Sequence, residues 1–133
     1  MSYYAIEKAL YAQLKPIGLT IIQENESINE TKQATPFIEV YNLPAATETL
    51  DKCLADRYNG TYQVSVFDSV DKMKGETLEI VDQVLELFYV NELPELDNVT
   101  VAIDSREMGL ARRDGGFFRC DISINYFTLN SRT

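Results

Sequence analysis

Two-residue alternation is the feature that most restricts this chain. Tyr62, Val64 and Val66 alternate with Thr61, Gln63 and Ser65. Phe118, Cys120, Ile122, Ile124 and Tyr126 alternate in the same way with Arg119, Asp121, Ser123 and Asn125. A strand turns successive side chains to opposite faces, so such runs require a sheet with one covered and one polar face. Val99, Val101 and Ile103, set against Thr100, Ala102 and Asp104, give a third run. Asn59-Gly60 precedes the first run and reads as a turn or bulge, because both residues tolerate positive φ. Arg112-Arg113-Asp114-Gly115-Gly116 falls between the last two runs and reads as the turn of a hairpin.

Two segments carry the other period. Ser2 can cap a helix over about residues 3 to 15, in which Tyr3, Ile6, Ala9, Leu10, Gln13 and Leu14 share a face and Pro16 ends it. The second helix should run over about residues 73 to 89. Its stripe is Met73, Thr77, Ile80, Val81, Val84, Leu85 and Phe88, and Glu76, Glu79, Asp82, Gln83 and Glu86 fill the opposite side. Leu19 to Gln23 and Phe37 to Tyr41 are shorter strands. Glu24 to Pro36 is polar and reads as a long surface loop. Ala45 to Ala55 fits a short helix, a strand start or a loop equally well. The order is α-β-β-β-α-β-β, so the expected fold is α+β: a single antiparallel-rich mixed sheet with two helices on one face. A chain of 133 residues, 45% apolar, is expected to form one domain over residues 1–133.

Several chemistries are excluded or left without support. The chain has no histidine, which removes Ser-His-Asp and Cys-His nucleophile arrangements, and Cys53 and Cys120 alone cannot make an ordinary zinc site. No phosphate-binding glycine motif occurs. Asp68 and Glu79 have the spacing of the first and last ligands of an EF-hand loop. However, Val70 and Lys72 occupy ligand positions, and Gly75 comes too late for the turn. No pair among the 21 carboxylates is marked out for acid–base work, and there is no tryptophan to support a sugar. Nothing indicates a cofactor or an enzyme. No apolar run is long enough to span a membrane, and Met1-Ser2-Tyr3-Tyr4 does not begin a signal peptide, so the expected setting is a cytoplasm with both thiols reduced.

The net charge of −9 is unevenly distributed. Asp68 to Glu107 holds eleven carboxylates against Lys72, Lys74 and Arg106, whereas Met108 to Arg119 holds Arg112, Arg113 and Arg119 against Asp114. An acidic surface of this kind argues against wrapping a nucleic acid. Solvated faces are the plain reading of both patches.

Three pieces in order resemble a known family. They are Arg57-Tyr58-Asn59-Gly60-Thr61-Tyr62-Gln63-Val64-Ser65-Val66-Phe67, the helix ending Glu86-Leu87-Phe88, and the hairpin in which Asp114-Gly115-Gly116-Phe117-Phe118-Arg119 leads into Cys120 to Tyr126. Together they resemble the tail terminator (tail completion) proteins of phages with long non-contractile tails. The resemblance implies a structural virion protein, assembled in the host cytoplasm and placed near the head–tail junction. Its partners would be further copies of itself in a six-fold ring, the tail tube protein and a head-completion or neck protein. Duplex DNA would pass through without specific binding, and no catalytic residue or cofactor would be needed.

In such a ring Glu79, Asp82 and Glu86 on the helix and Arg112 and Arg113 at the hairpin are candidate subunit contacts. Glu24, Glu26, Glu30 and Lys32 are candidates for docking a partner. The competing readings are another neck, head-completion or tube component, a cytosolic module binding a small ligand or peptide, and a carboxylate-dependent hydrolase.

Overall fold

A computed structural model describes residues 3–23, 36–44, 48–50, 55–69, 74–94, 99–109, 111–114 and 117–131. The elements are α1 (Tyr3–Leu14), a 3-10 turn (Lys15–Ile17), β1 (Thr20–Gln23), β2 (Phe37–Pro44), β3 (Glu48–Leu50), β4 (Ala55–Ser69), α2 (Lys74–Leu87), β5 (Ala102–Met108), β6 (Arg112–Asp114) and β7 (Phe117–Ser131). The strands form one mixed sheet in the order β1-β2-β4-β7-β5. Among the described residues only the β1–β2 pair is parallel. This is the expected α+β architecture, with β3 and β6 added.

The spine of the sheet is the antiparallel pair β4–β7. Every position from Ala55 to Ser69 faces one from Ser131 back to Phe117, a ladder about 50 Å long at the usual rise per residue. Along the outer edge of β4, β3 pairs with residues 55–57 and β2 with residues 60–67. Along the outer edge of β7, β6 pairs with residues 117–119 and β5 with residues 122–127. The short strands therefore continue the lines of the longer ones.

Both helices cover the same face. Tyr62, Val64 and Val66 of β4, Cys120, Ile122, Ile124 and Tyr126 of β7, and Ile38 and Val40 of β2 form one core with Ile6, Leu10 and Leu14 of α1 and Val81, Val84 and Phe88 at α2. These are the residues that the two periodicities select. Helix α1 stops at Leu14 because Pro16 forces a tighter turn, which Gly18 closes at φ 78°. Gln13, expected on the inner face, is half-buried and donates from Nε2 to the Leu87 carbonyl. Arg106 of β5 donates to the Phe88 carbonyl at 3.1 Å and lies 4.5 Å from the centre of the Tyr89 ring. The open C-terminal end of α2 is thereby satisfied by one amide and one cation.

Three sequence expectations need correction. Asn59-Gly60 is neither a turn nor a bulge. Both residues lie inside β4, opposite Phe127 and Tyr126. Glycine is required there for space: a Cβ on residue 60 would overlap the Tyr126 hydroxyl and lie 2.6 Å from Cζ. Arg112, Arg113 and Asp114 are not turn residues either, since they pair with Arg119, Phe118 and Phe117 as β6. The unassigned stretch 45–55 contains β3 and the start of β4. Val99, taken as the start of the fifth strand, precedes it, and β5 begins at Ala102 with a register shift between Ile103 and Ser105. Of the EF-hand-like pair, Asp68 is buried within β4 and Glu79 is exposed on α2. Cys120 is buried and its thiol donates to the Gly109 carbonyl at 3.6 Å, while Cys53 lies outside the described residues.

The close approach at residue 60 sets a clear expectation. Gly60→Ala should cost about 1 to 3 kcal/mol, as overpacking does in a filled core. Chemical denaturation measures it, and Gly60→Ala combined with Tyr126→Ala should cost less than the sum of the two single changes, because removing the ring removes the clash.

Candidate assembly surfaces

The outer side of α2 is acidic because the helix buries its apolar stripe. Glu79, Asp82 and Glu86 are all exposed, and among the described residues none of them has an ion pair. Beside Glu86, Pro16, Ile17, Gln83 and Leu87 line a shallow groove of about 320 Å³. An aliphatic stem could lie on that floor with a charged head at the carboxylate.

The structure separates the two arginines that the sequence presents together. They are neighbours on a strand, so their side chains leave opposite faces of the sheet. Arg112 turns to the face without helices, where Nη1 and Nη2 each lie 3.2 Å from Asp121 Oδ2. Arg113 is exposed and has no ion pair among the described residues. Only Arg113 keeps its charge available to another molecule.

Asp121 is the hub of the helix-free face, and sequence reasoning missed it. Its Oδ1 accepts from the Ser65 hydroxyl at 2.7 Å and from Arg119 Nε at 2.8 Å, while Oδ2 takes Arg112. The available signal was Arg119-x-Asp121, which puts opposite charges two apart on one strand face. Arg119 also lies 5.1 Å from the centre of the Phe67 ring. That ring stacks on Phe37 at 4.9 Å and meets Phe117 edge-on at 5.7 Å. With Ile22 these three rings make a second buried cluster, on the face that alternation marks as polar. Further along, Thr61 donates to Asn125 and Asn125 donates to Ser105, each at 2.7 Å, which ties β4, β7 and β5 together. Glu39 is buried in the same face, in register between Ile22 and Ser65.

The docking candidates Glu24, Glu26, Glu30 and Lys32 lie outside the described residues. Among the described residues no cluster of His, Cys, Asp or Glu is placed to hold a metal ion, and no helix is long and apolar enough to cross a membrane.

Burial by itself would raise the Asp121 carboxyl. The Ser65 hydroxyl and the Arg119 and Arg112 guanidinium groups outweigh it and hold the carboxyl below its ordinary value of 3.8. A lowered carboxyl contributes stability that is complete above its unfolded value and is lost as pH falls through the folded one. Asp121→Asn should therefore lower stability at pH 7 by about 1 kcal/mol, the scale of a partly exposed, hydrogen-bonded ion pair. In urea titrations the gap between Asp121→Asn and the parent should close as the pH drops below 3.8.

A family model described as phage tail terminator protein matches residues 4–126, nearly the whole chain. No curated protein matches at a significant level. One solved structure, known by a serial designation alone, superposes with a TM-score of 0.75 at 20% identity and covers 96% of each chain. At that identity the likeness speaks for the fold. The family is structural, with a place in the virion tail among tail and head components. With nearly the whole chain inside the matched span, the chain belongs to the phage tail terminator family.

Proposed function

We propose that residues 1–133 form one tail-terminator domain that assembles head to tail into a ring of six copies. The ring caps the tail tube, ends its polymerisation and presents the surface to which the head joins. The family match over residues 4–126 carries this reading. A head-to-tail ring needs two different patches on each subunit that complement one another. The exposed acids Glu79, Asp82 and Glu86, without an ion pair among the described residues, and the exposed Arg113 are such patches, and the groove beside Glu86 suits an arginine stem. Arg112, spent on Asp121, serves the fold of the subunit rather than its contact. Glu24, Glu26, Glu30 and Lys32 are assigned to docking the tube or the head. The chemistry asked of the protein is adhesion, with no cofactor and no catalytic group.

Arg113→Glu tests the contact. Rings should disappear from negative-stain images and the mass in light scattering should fall to that of one chain. Stability should stay within about 0.5 kcal/mol of the parent, as for an exposed substitution. Normal rings from Arg113→Glu would rule out this contact.

A second expectation concerns the passage. With a net charge of −9 the lumen should repel duplex DNA rather than hold it. A gel-shift assay at physiological salt should show no complex. A complex that weakens steeply with salt would contradict the conduit.

A further inference from the structure

A cleft of about 360 Å³ opens between α1 and the β1–β2 edge, away from both charged patches. Its walls and floor include Tyr4, Tyr11 and Tyr62, the carboxylate of Glu7, and the amides of Gln23 and Asn42. This volume is at the small end of ligand sites, which span about 300 to 1,000 Å³. It suits a head group or one side chain rather than a large ligand.

The carboxylate is held by a relay that starts on the sheet spine. Because residue 60 has no side chain, the Tyr126 hydroxyl fits across β4 and donates to Asn42 Oδ1 at 2.6 Å. That bond fixes the amide, whose Nδ2 donates to Glu7 Oε1 at 3.3 Å. Tyr126 and Asn42 are 3% and 8% exposed, so the relay is built into the core. It ends at a half-buried negative charge whose only hydrogen-bond partner among the described residues is this neutral amide.

The chemistry that fits is cationic. Tyrosine faces are electron-rich and attract ammonium and guanidinium groups. One ring of the cleft shows this already, with Lys8 Nζ 5.0 Å from the centre of Tyr4. Among the described residues no basic side chain lines the cleft. The Glu7 carboxylate has no ion pair among the described residues, and a cation entering beside it among the rings would gain a charge-assisted hydrogen bond.

We infer that this cleft is a recognition site for the guanidinium or ammonium of a basic side chain presented by an adjoining protein of the tail. The source of the cation rests on the assembly reading above, whereas the cation chemistry rests on the cleft alone.

The test begins with the free full-length chain. The probe is N-acetyl-arginine methylamide, and the control is the citrulline analogue, which has the same shape and no charge. Saturable NMR shifts at Tyr11, Gln23 and Asn42 are expected with the arginine probe. Binding should be about tenfold weaker or more with the citrulline probe, and likewise with Glu7→Gln, which keeps an acceptor for Asn42. Equal affinity for the two probes, or for parent and Glu7→Gln, overturns the inference. The second arm asks for the source. Glu7→Gln should reduce co-sedimentation with purified tails about as much as it reduces probe binding. If Glu7→Gln abolishes binding of the arginine probe yet co-sediments at the parent level, the assignment to a partner side chain is overturned. Absence of rings in the parent protein would bear on the proposed assembly and leave the probe titration standing.

Discussion

Everything in the molecule is referred to the pairing of β4 with β7. It fixes fifteen positions of each strand against the other, and because strands alternate faces it fixes which side of each residue is covered. A slip of β7 by one residue against β4 would bring Asp121 under the helices and expel Ile122. The Gly60–Tyr126 pair resists such a slip in a second way. The ring needs a position without a Cβ opposite it, and no other glycine of β4 is available. The outer strands add area to this spine, and the helices close one side.

Residues that face the core were legible because burial writes a period into the sequence. Val64, Val66, Ile122 and Ile124, and Val81 and Val84 on α2 with Phe88 just past its end, are where alternation and the helical stripe put them. Gly60 was misread because glycine signals a turn locally and a close approach globally, and only the register tells them apart. Arg112 and Arg113 were misread for a related reason: as a turn they form one patch, as a strand they face opposite ways. The aromatic cluster of Phe37, Phe67 and Phe117 was hidden since its members come from three distant segments on the nominally polar face. The Glu7–Asn42–Tyr126 relay left no local trace at all, its partners lying 35 and 84 positions apart.

The two sides of the sheet consequently carry different kinds of polarity. On the helix-free side, charge is spent internally: Arg112 and Arg119 are both bound to Asp121, and hydroxyls and amides link neighbouring strands. Across the helix layer Glu79, Asp82 and Glu86 of α2 have no counter-charge among the described residues. Internal pairing stiffens a surface, while unpaired charge stores an attraction that a second molecule can realise. The head-to-tail contact proposed above draws on a surface of the second kind.

The lateral rims of the sheet have a consequence for how the protein behaves when crowded. One rim, β1, is only four residues long. At the other, the start of β5 is occupied: the Ile103 N–H donates to the Asn91 carbonyl at 2.9 Å and the Leu93 N–H to the Val101 carbonyl at 2.8 Å. Past that point the register shifts at Ser105, and Asp104 and Glu107 stand exposed. A neighbouring strand seeking to add here would find part of the ladder taken, the rest out of step, and like charges facing it if the newcomer were another copy. Edge-to-edge pairing between copies is therefore disfavoured along β1 and along β5.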